Sequence, residues 1–241
     1  GTPDTGLGPV RRLAHEFDIH SSRPGGTFCV ARVGPQAAMP SRLPAGSPFA
    51  VGAICLPAPG ETVCGDGWVL AEDGKRLRLL IADGLGHGPE AAKASLAAGE
   101  SFKEAPFEPQ RQLLERMHVH LKTTRGAAVC LCELDAQAGS IDFTGAGNIA
   151  GGVLSGTTDK TLATQHGTVG VQIRRPDQTR ADWVEHGLVI MHSDGLNGRW
   201  SRDGLLPVLQ RDPTLAAAVL LRDHTRQRDD ATVVVMRRRH E

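Results

Sequence analysis

Four acidic positions stand out in this sequence because each lies at one end of an apolar run. They are Gly65-Asp66, Asp83-Gly84, Asp194-Gly195 and Asp229-Asp230. Any one of them alone is better explained as a turn, because Asp-Gly is a strong turn dipeptide. A carboxylate at a strand end is costly to bury without a counter-charge, so four in this pattern need a common explanation. Together they predict several carboxylates at one edge of a sandwich.

Such a cluster offers the chemistry of hard divalent cations. Magnesium and manganese prefer carboxylate oxygens, carbonyl oxygens and water as ligands. Two such cations polarise a phosphoryl oxygen and lower the pKa of a water between them. Gly84 has no side chain, so we expect its carbonyl to be able to approach a metal closely. The residues therefore indicate a hydrolytic site with two cations.

The elements around these positions predict an α+β fold. Two apolar runs, 61–71 and 75–82, are joined by Glu72-Asp73-Gly74, which is a strong hairpin signal. Other strands are expected at 127–134, 140–144, 150–154, 188–192 and 231–236, and helices at 89–102, 109–123 and 213–224. Helices grouped between antiparallel hairpins, rather than in strict alternation with strands, favour a layered α+β domain.

The first part of the chain differs from this body in composition. Residues 34–59 are rich in Pro, Gly, Ala and Ser, which predicts a linker or an extended entry segment, with 34–48 as the linker proper. Residues 1–33 are predicted to form one helix, 8–17, and a hairpin with strands 18–22 and 27–33. Because about thirty residues bury too little surface to be stable alone, this piece should pack on the body (49–241) or be a remnant of something larger.

The composition narrows the possible partners and the compartment. The chain of 241 residues has 27 Lys and Arg against 27 Asp and Glu, so its formal net charge is zero. Without a net field, and with only 4% aromatic residues for stacking, we expect neither a nucleic-acid nor a membrane partner. The five cysteines contain no CxxC pair, and no apolar stretch is long enough to span a bilayer. These features favour a cytoplasmic protein with reduced thiols.

The acidic motifs occur in the order and spacing of the PPM-type protein phosphatases. The segments that carry this resemblance are Gly65-Asp66, 80–88, 193–195 and 228–233. Among these phosphatases the sequence is most similar to the bacterial SpoIIE/RsbX branch, which residues 145–149 also resemble. The resemblance covers residues 51–237, and it implies a four-layer α/β/β/α sandwich of two antiparallel sheets flanked by helices.

The resemblance also implies a role for each acidic residue. Asp83 would bridge two manganese or magnesium ions, and Gly84 would offer its carbonyl. The remaining ligands would be Asp66, Asp194 and Asp229. Adjacent side chains of an extended chain point in opposite directions, so only one of Asp229 and Asp230 should face the metals, and the family pattern favours Asp229. Asp83 and Asp66 would then be catalytic in a one-step hydrolysis by metal-activated water, without a phosphoenzyme.

Some features of the family pattern are missing or displaced. Many eukaryotic relatives carry a histidine, proposed as a general acid, shortly before the metal-binding Asp-Gly pair, and this sequence has none there. His87, three residues after Gly84, is interpreted as a loop residue, His192 as a packed strand histidine and Asn148 as a turn asparagine. No arginine can be assigned to a substrate phosphate, so the helix that begins near Pro89 is expected to offer its N–H groups and dipole.

The N-terminal piece has a resemblance of its own. Residues 4–8, the helix over 10–17 and the strands ending at 25–28 resemble the last third of a GHKL ATPase of the anti-sigma kinase type. The upstream half with the metal-holding Asn motif is not in the sequence, so productive ATP binding is not expected. The resemblance implies a truncated kinase–phosphatase fusion, and an unrelated helix–hairpin extension is the alternative.

The function implied is that of a metal-dependent protein serine/threonine phosphatase. The branch of the family implies a substrate with phosphoserine or phosphothreonine on a STAS-type anti-sigma antagonist or stressosome protein, in a bacterial partner-switching pathway. The alternative is a catalytically silent module of phosphatase fold that binds a signalling partner, and the retained acidic residues favour the enzyme. Transfer through an aspartyl nucleophile would need an Asp-x-Asp pattern, which Asp83-Gly84-Leu85 lacks.

Overall fold

The computed structural model describes residues 6–34, 43–44, 46–155, 159–174, 177–200 and 202–239. In these ranges four α-helices occur, Leu7–Leu13 (α1), Gly88–Glu104 (α2), Gln110–His120 (α3) and Pro213–His224 (α4). Short 3₁₀ turns occur at Leu121–Thr123, Arg202–Gly204 and Leu206–Val208. None of the helices in the described ranges is long and apolar enough to cross a membrane.

Fourteen strands lie in the same ranges. They are Glu16–Ser22 (β1), Gly26–Arg32 (β2), Phe49–Leu56 (β3), Asp66–Asp73 (β4), Arg76–Gly84 (β5), Ala127–Asp135 (β6), Ser140–Ala146 (β7), Ala150–Leu154 (β8), Lys160–Ala163 (β9), Gly167–Thr168 (β10), Gln172–Ile173 (β11), Thr179–Asp182 (β12), Leu188–His192 (β13) and Ala231–Arg238 (β14). Two five-stranded antiparallel sheets, β12-β7-β6-β5-β4 and β3-β14-β13-β8-β9, form the centre of the fold. The pairs β1-β2 and β10-β11 form two small additional sheets.

Alternating side chains on the central strands divide the buried residues into three apolar clusters. Leu79 and Ile81 of β5 pack with Val234 of β14 in the cluster between the two sheets. Leu80 of β5 faces the opposite way, into the cluster that includes residues of α2 and α3. Val233 of β14 likewise packs with residues of α4 on the other outer face. The result is the four-layer α/β/β/α sandwich that the resemblance implied.

The predicted strands and helices of the body are largely confirmed, whereas the first helix is wrong at its C-terminal end. Strands β8 and β13 and helix α4 have the predicted bounds, 150–154, 188–192 and 213–224. Helix α1 ends at Leu13, not at residue 17. The chain turns into β1 because His15 N donates to Arg32 O at 2.9 Å, and Glu16 then pairs with Arg32.

Strand β3 and the short strands β9–β12 were not expected from the sequence. Strand β3 falls within the Pro-rich region interpreted as an entry segment, yet it pairs with β14 along its whole length, from Phe49↔Arg238 to Leu56↔Ala231. Strands β9–β12 are only two to four residues long and too short to show a period of two. Residues 35–42 and 45 of the predicted linker, and residues 4 and 5 of the ATPase-like motif, lie outside the described ranges.

The N-terminal hairpin packs on helix α4. Phe28 of β2 packs against the apolar cluster that contains α4. Asp212, the N-cap of α4, accepts a hydrogen bond from Thr214 N at 2.8 Å and another from Arg32 Nη2 at 3.1 Å. The backbone N of Asp212 donates in turn to Asp18 Oδ2 at 2.8 Å. One aspartate therefore both begins the helix and fixes the hairpin to it.

We predict that Asp212→Ala destabilises the fold far more than Asp223→Ala at the other end of α4. Burial opposes ionisation of Asp212, but the hydrogen bonds from Arg32 and Thr214 outweigh burial and hold its pKa below the ordinary value. Loss of this cap and ion pair should lower the free energy of unfolding by about 1–3 kcal/mol. Asp223 pairs with Arg222 on the exposed surface, so its loss should cost about 0.5 kcal/mol or less. Urea unfolding followed by circular dichroism measures both, and equal losses would contradict the assignment.

Candidate metal centre

Antiparallel pairing places the acidic positions at the same edge of the two central sheets. Asp66 begins β4 and lies directly opposite Asp83, the second-last residue of β5. In the other sheet Asp194 follows β13, and Asp229 precedes β14, its antiparallel neighbour. Because β4 starts and β5 ends at one edge, and β13 ends and β14 starts at the corresponding edge, four positions distant in sequence become neighbours.

A pocket of about 360 Å³ opens at this edge. Its lining includes three of the four carboxylates, Asp83, Asp194 and Asp229. The remaining lining residues are Leu85, Gly86, Ala128, Gly147, Asn148, His166, Gly167 and Thr168. Asp66 is 5% exposed and is not part of the lining, and it stands across the strand pair from Asp83. Of the four predicted carboxylate ligands, three thus lie at the pocket surface and one is buried beside it.

The Ser193 hydroxyl links Asp66 to the opposite sheet. Ser193 Oγ donates to Asp66 Oδ2 at 2.6 Å and accepts from Thr232 N at 3.0 Å. The second oxygen, Asp66 Oδ1, is buried and has no hydrogen-bond partner among the described residues. A buried carboxylate oxygen without a donor is unfavourable unless a cation or water meets it, so this atom fits a metal ligand. Four carboxylates with few other donors are also the ligand set that magnesium and manganese prefer.

Burial and neighbouring negative charges raise the pKa of both paired aspartates, Asp66 and Asp83. Burial, and then the charges of Asp66, Asp194, Asp229 and Asp230, raise the pKa of Asp83 to about 9. Burial also raises the pKa of Asp66 to about 6, although the hydrogen bond from Ser193 opposes the rise. In the described part of the chain, no three His, Cys, Asp or Glu side chains already meet in a metal-ligand arrangement.

Asn148 has a larger role than that of a turn asparagine, which was the interpretation from sequence. Its Nδ2 donates to Asp194 Oδ2 at 2.6 Å, and the residue lines the pocket. The hydrogen bond fixes one oxygen of Asp194. Residue 148 also belongs to the segment 145–149 that resembles the RsbX-like members, which was a usable signal. His192, by contrast, is buried and accepts from Trp200 Nε1 at 3.2 Å, as expected for a packed strand histidine.

Asp229 and Asp230 occupy different environments although they are adjacent. Asp229 lines the pocket, and its Oδ1 accepts from Asp230 N at 2.9 Å. Asp230 is 3% exposed, and its Oδ1 accepts from Ala58 N at 2.8 Å. Its other oxygen, Oδ2, is buried without a partner among the described residues. The Asp229 carboxylate therefore faces the pocket, whereas the Asp230 carboxylate binds the segment after β3.

The glycines that follow two of the aspartates are required by close packing. A Cβ on Gly84 would lie 2.0 Å from the carbonyl oxygen of Ala91 in α2. A Cβ on Gly195 would lie 2.0 Å from the carbonyl oxygen of Asp230. From the sequence, Gly84 was interpreted as access for a metal to the backbone. The structure adds that helix α2 fills the space where a side chain would stand.

The N-terminus of α2 does not offer the free anion site that was expected near Pro89. A Cβ on Gly88 would come within 2.7 Å of Glu61 Oε2, so the Glu61 carboxylate lies against the first turn of this helix. Glu61 Oε1 is also 2.6 Å from Nδ1 of His87. The negative carboxylate lies where a substrate phosphate would approach the helix N-terminus, and its like charge disfavours a phosphate there. His87 is not among the residues that line the pocket.

Two further groups at the pocket escaped the sequence analysis. His166 and Thr168, from the segment around β10, form part of its lining. Arg125 lies at its rim, since a Cβ on the lining residue Gly86 would be 3.2 Å from Arg125 Nη1. Neither group belongs to a motif found in the sequence, and only the tertiary structure brings these residues to the pocket.

Comparison with known families agrees with this arrangement. The family model "Stage II sporulation protein E (SpoIIE)" matches residues 73–239, which is more than half of the chain. The chain belongs to the SpoIIE family. The resemblance to the SpoIIE/RsbX branch of the PPM-type phosphatases is thereby confirmed. The matched range includes the motifs that contain Asp83, Asp194 and Asp229.

Individual relatives support the same placement. The phosphoserine phosphatase RsbX of Bacillus subtilis (strain 168) is 28% identical over 90 residues, which make up 37% of this chain and only 45% of that protein. A solved structure from work on the bacterial stressosome has 27% identity and a TM-score of 0.74, covering 78% of this chain and 99% of its own. The crystal structure of RsbX in complex with magnesium has a similar fold, with a TM-score of 0.70, 22% identity and coverage of 79% and 96%.

We predict that the metal-free SpoIIE-family chain loses stability as the pH rises. With pKa values of about 9 and about 6, Asp83 and Asp66 bind protons more tightly in the folded chain than in the unfolded one. Their contribution is fully present below the ordinary aspartate pKa, near 4, and is lost as the pH rises through the raised values. The free energy of unfolding in chelator should therefore fall towards pH 9, and Asp83→Asn should flatten the fall. Urea unfolding at a series of pH values measures this.

A matched control is available on the same hairpin. Asp73→Asn changes an exposed aspartate at the far end of β4, where Asp73 pairs with Arg76 at the surface. This variant should keep the pH dependence of the parent chain. If Asp83→Asn also kept it, the titration would belong to groups other than the carboxylate cluster.

Proposed function

We propose that this chain is a metal-dependent protein serine/threonine phosphatase, which hydrolyses phosphoserine or phosphothreonine by metal-activated water. The observation that carries the proposal is the convergence of Asp66, Asp83, Asp194 and Asp229 at one edge of the sandwich, around a pocket. The partnerless Oδ1 of Asp66 supports a cation at that edge. The similarity to a phosphoserine phosphatase, RsbX, supports the reaction.

In this proposal two magnesium or manganese ions are the cofactors. Asp66, Asp83, Asp194 and Asp229, with the carbonyl of Gly84, would hold them, and magnesium is the metal in the RsbX complex of similar fold. When bound, two such cations polarise a phosphoryl oxygen and lower the pKa of a water between them. The chain itself prepares the ligands, because Ser193 orients Asp66 and Asn148 orients Asp194.

We assign Arg125 to the phosphate of the substrate. A phosphate dianion that enters a pocket lined by carboxylates needs positive charge at the pocket rim in addition to the metal ions inside. Arg125 is exposed, and its guanidinium lies beside Gly86 at the pocket rim. A guanidinium binds two phosphate oxygens at once, which a helix N-terminus covered by Glu61 does not offer here.

The proposed substrate is a phosphorylated STAS-domain protein of a bacterial partner-switching pathway, such as an anti-sigma antagonist or a stressosome protein. The SpoIIE/RsbX branch supports this choice, as does the similarity to a structure from work on the bacterial stressosome. The five free cysteines are compatible with the cytoplasmic location that belongs to the same proposal.

We also propose a division of the chain into two units and a linker. We assign residues 1–33 to a helix–hairpin unit of GHKL ATPase type, 34–48 to a linker and 49–241 to the phosphatase domain. The docking of the hairpin on α4 through Arg32 and Asp212 supports a fixed attachment of the first unit to the second.

The first test compares two adjacent aspartates. Asp229→Asn should lower kcat/KM for a phosphoserine STAS protein in manganese by at least about 100-fold, because loss of a direct ligand should exceed the 10–100-fold typical of outer partners. Asp230→Asn should stay within about tenfold of the parent, since asparagine keeps the Oδ1 acceptor for Ala58 N. Phosphate release measures both, with chelator as the metal-free reference.

The outcomes separate the enzyme from its rival. Equal losses in the two variants would contradict the assignment of Asp229 to the metal. If the folded parent chain released no phosphate from the STAS protein or from an aryl phosphate, with manganese present, the catalytically silent binding module would be the better description.

Arg125→Ala should raise KM for the phosphoprotein by about tenfold or more, because a charge-assisted hydrogen bond to phosphate is lost. Manganese affinity, measured by calorimetry, should not change. Arg111→Ala is the matched control, because Arg111 pairs with Glu115 on the exposed face of α3. An unchanged KM in Arg125→Ala would show that the arginine does not contact the substrate.

A further inference from the structure

Two of the five cysteines lie in contact beside the carboxylate cluster. Cys55 Sγ and Cys64 Sγ are 3.1 Å apart, and both side chains are partly exposed. Cys55 belongs to β3, and Cys64 lies in the segment that leads into β4, two residues before Asp66. We propose that Cys55 and Cys64 are a redox modification site, which peroxide oxidises to a reversible disulfide.

The geometry singles out this pair from the other thiols. A disulfide requires two sulfurs about 2.05 Å apart, so the pair needs to close by only about 1 Å. Cys29 lies on the N-terminal hairpin, and Cys130 and Cys132 are buried in the cluster between the sheets. Polar groups surround the pair, since Thr232 Oγ1 donates to Cys55 Sγ at 3.1 Å and Cys64 Sγ donates to Leu56 O at 3.3 Å.

The chemistry balances with one peroxide as the oxidant. The Cys55 sulfur, which accepts the hydrogen bond from Thr232, attacks one peroxide oxygen, the O–O bond breaks, and a sulfenic acid and one water form. The Cys64 sulfur then attacks the Cys55 sulfur, and the hydroxyl group leaves with a proton as a second water. Two thiols and one hydrogen peroxide give one disulfide and two waters. A dithiol reductant reverses the step by exchange.

Closure of the disulfide is transmitted to the carboxylates through the backbone. Gly65, between Cys64 and Asp66, is wedged tightly, since a Cβ there would lie 2.6 Å from both Ala91 Cβ and Asp230 Oδ2. Cys55 Sγ is also 3.8 Å from the carbonyl oxygen of Asp66. A shift of Cys64 towards Cys55 therefore moves Asp66 relative to Ser193. We infer that oxidation weakens metal binding, and this second step rests on the proposed function.

The disulfide is tested on the purified full chain, without reference to activity. The reduced chain is treated with hydrogen peroxide, free thiols are blocked with N-ethylmaleimide, and the chain is digested without reduction for mass spectrometry. We expect a peptide pair that links Cys55 to Cys64, lighter by about 2 Da than the sum of its thiol forms. Cys29, Cys130 and Cys132 should remain reduced thiols, whether or not N-ethylmaleimide labels them. Dithiothreitol should return Cys55 and Cys64 to thiols.

Variants make the outcome decisive. Cys29→Ser should form the same link, whereas Cys64→Ser should form none and should leave a dimedone-reactive sulfenic acid at Cys55. Full labelling of Cys55 and Cys64 after peroxide, or a link from either one to Cys29, would overturn the proposal.

Coupling to the metal is measured by titration of manganese into the reduced and oxidised chains by calorimetry. Oxidation should weaken binding by about tenfold, the scale expected when a partner of a ligand is displaced. Peroxide-treated Cys64→Ser should bind manganese as the reduced parent does. Equal affinities of the reduced and disulfide forms would refute the coupling. A parent chain that binds manganese but hydrolyses no phosphoester would refute only the proposed phosphatase.

Discussion

The constraint on which this structure depends is the electrostatic cost of gathering carboxylates at one edge of a sandwich. Asp66 and Asp83 lie opposite each other at the ends of two strands, and burial and the charges of neighbouring aspartates raise the pKa of both. A fold selected for stability alone would separate or replace them. The sheets keep them together, and in the proposed function a divalent cation offsets their charge.

The surrounding donors show how the fold holds these groups before a cation is bound. Ser193 spans the two sheets, because it donates to Asp66 and accepts from the backbone N of Thr232. Asn148 reaches Asp194 from the connection between β7 and β8, which belong to different sheets. Each donor satisfies one oxygen and leaves others for a ligand, which fixes orientation without neutralising the charge. The site is therefore positioned by elements that are rigid for reasons of packing.

The segment between β3 and β4 connects this site to the rest of the molecule. Within it, Ala58 N donates to Asp230, Glu61 lies against the start of α2, and Cys64 contacts Cys55. Its last residues pass directly into Asp66. A change in one of these contacts reaches a proposed metal ligand through a few covalent bonds and a tightly packed glycine. This explains how a surface chemical event could alter the site without a large rearrangement.

The sequence by itself determined the family, the layered fold and the positions of the four aspartates, because strand periods, turn dipeptides and motif spacing are local signals. It did not reveal strand β3, whose Pro-rich flanks hide a strand that exists through its pairing with β14. Nor did it reveal the support of Asp194 by Asn148, the rim position of Arg125, or the Glu61 carboxylate at the start of α2. Those relations join residues distant in the chain. Only the tertiary structure decided them, because packing of the sheets and helices sets distances that no sequence spacing encodes.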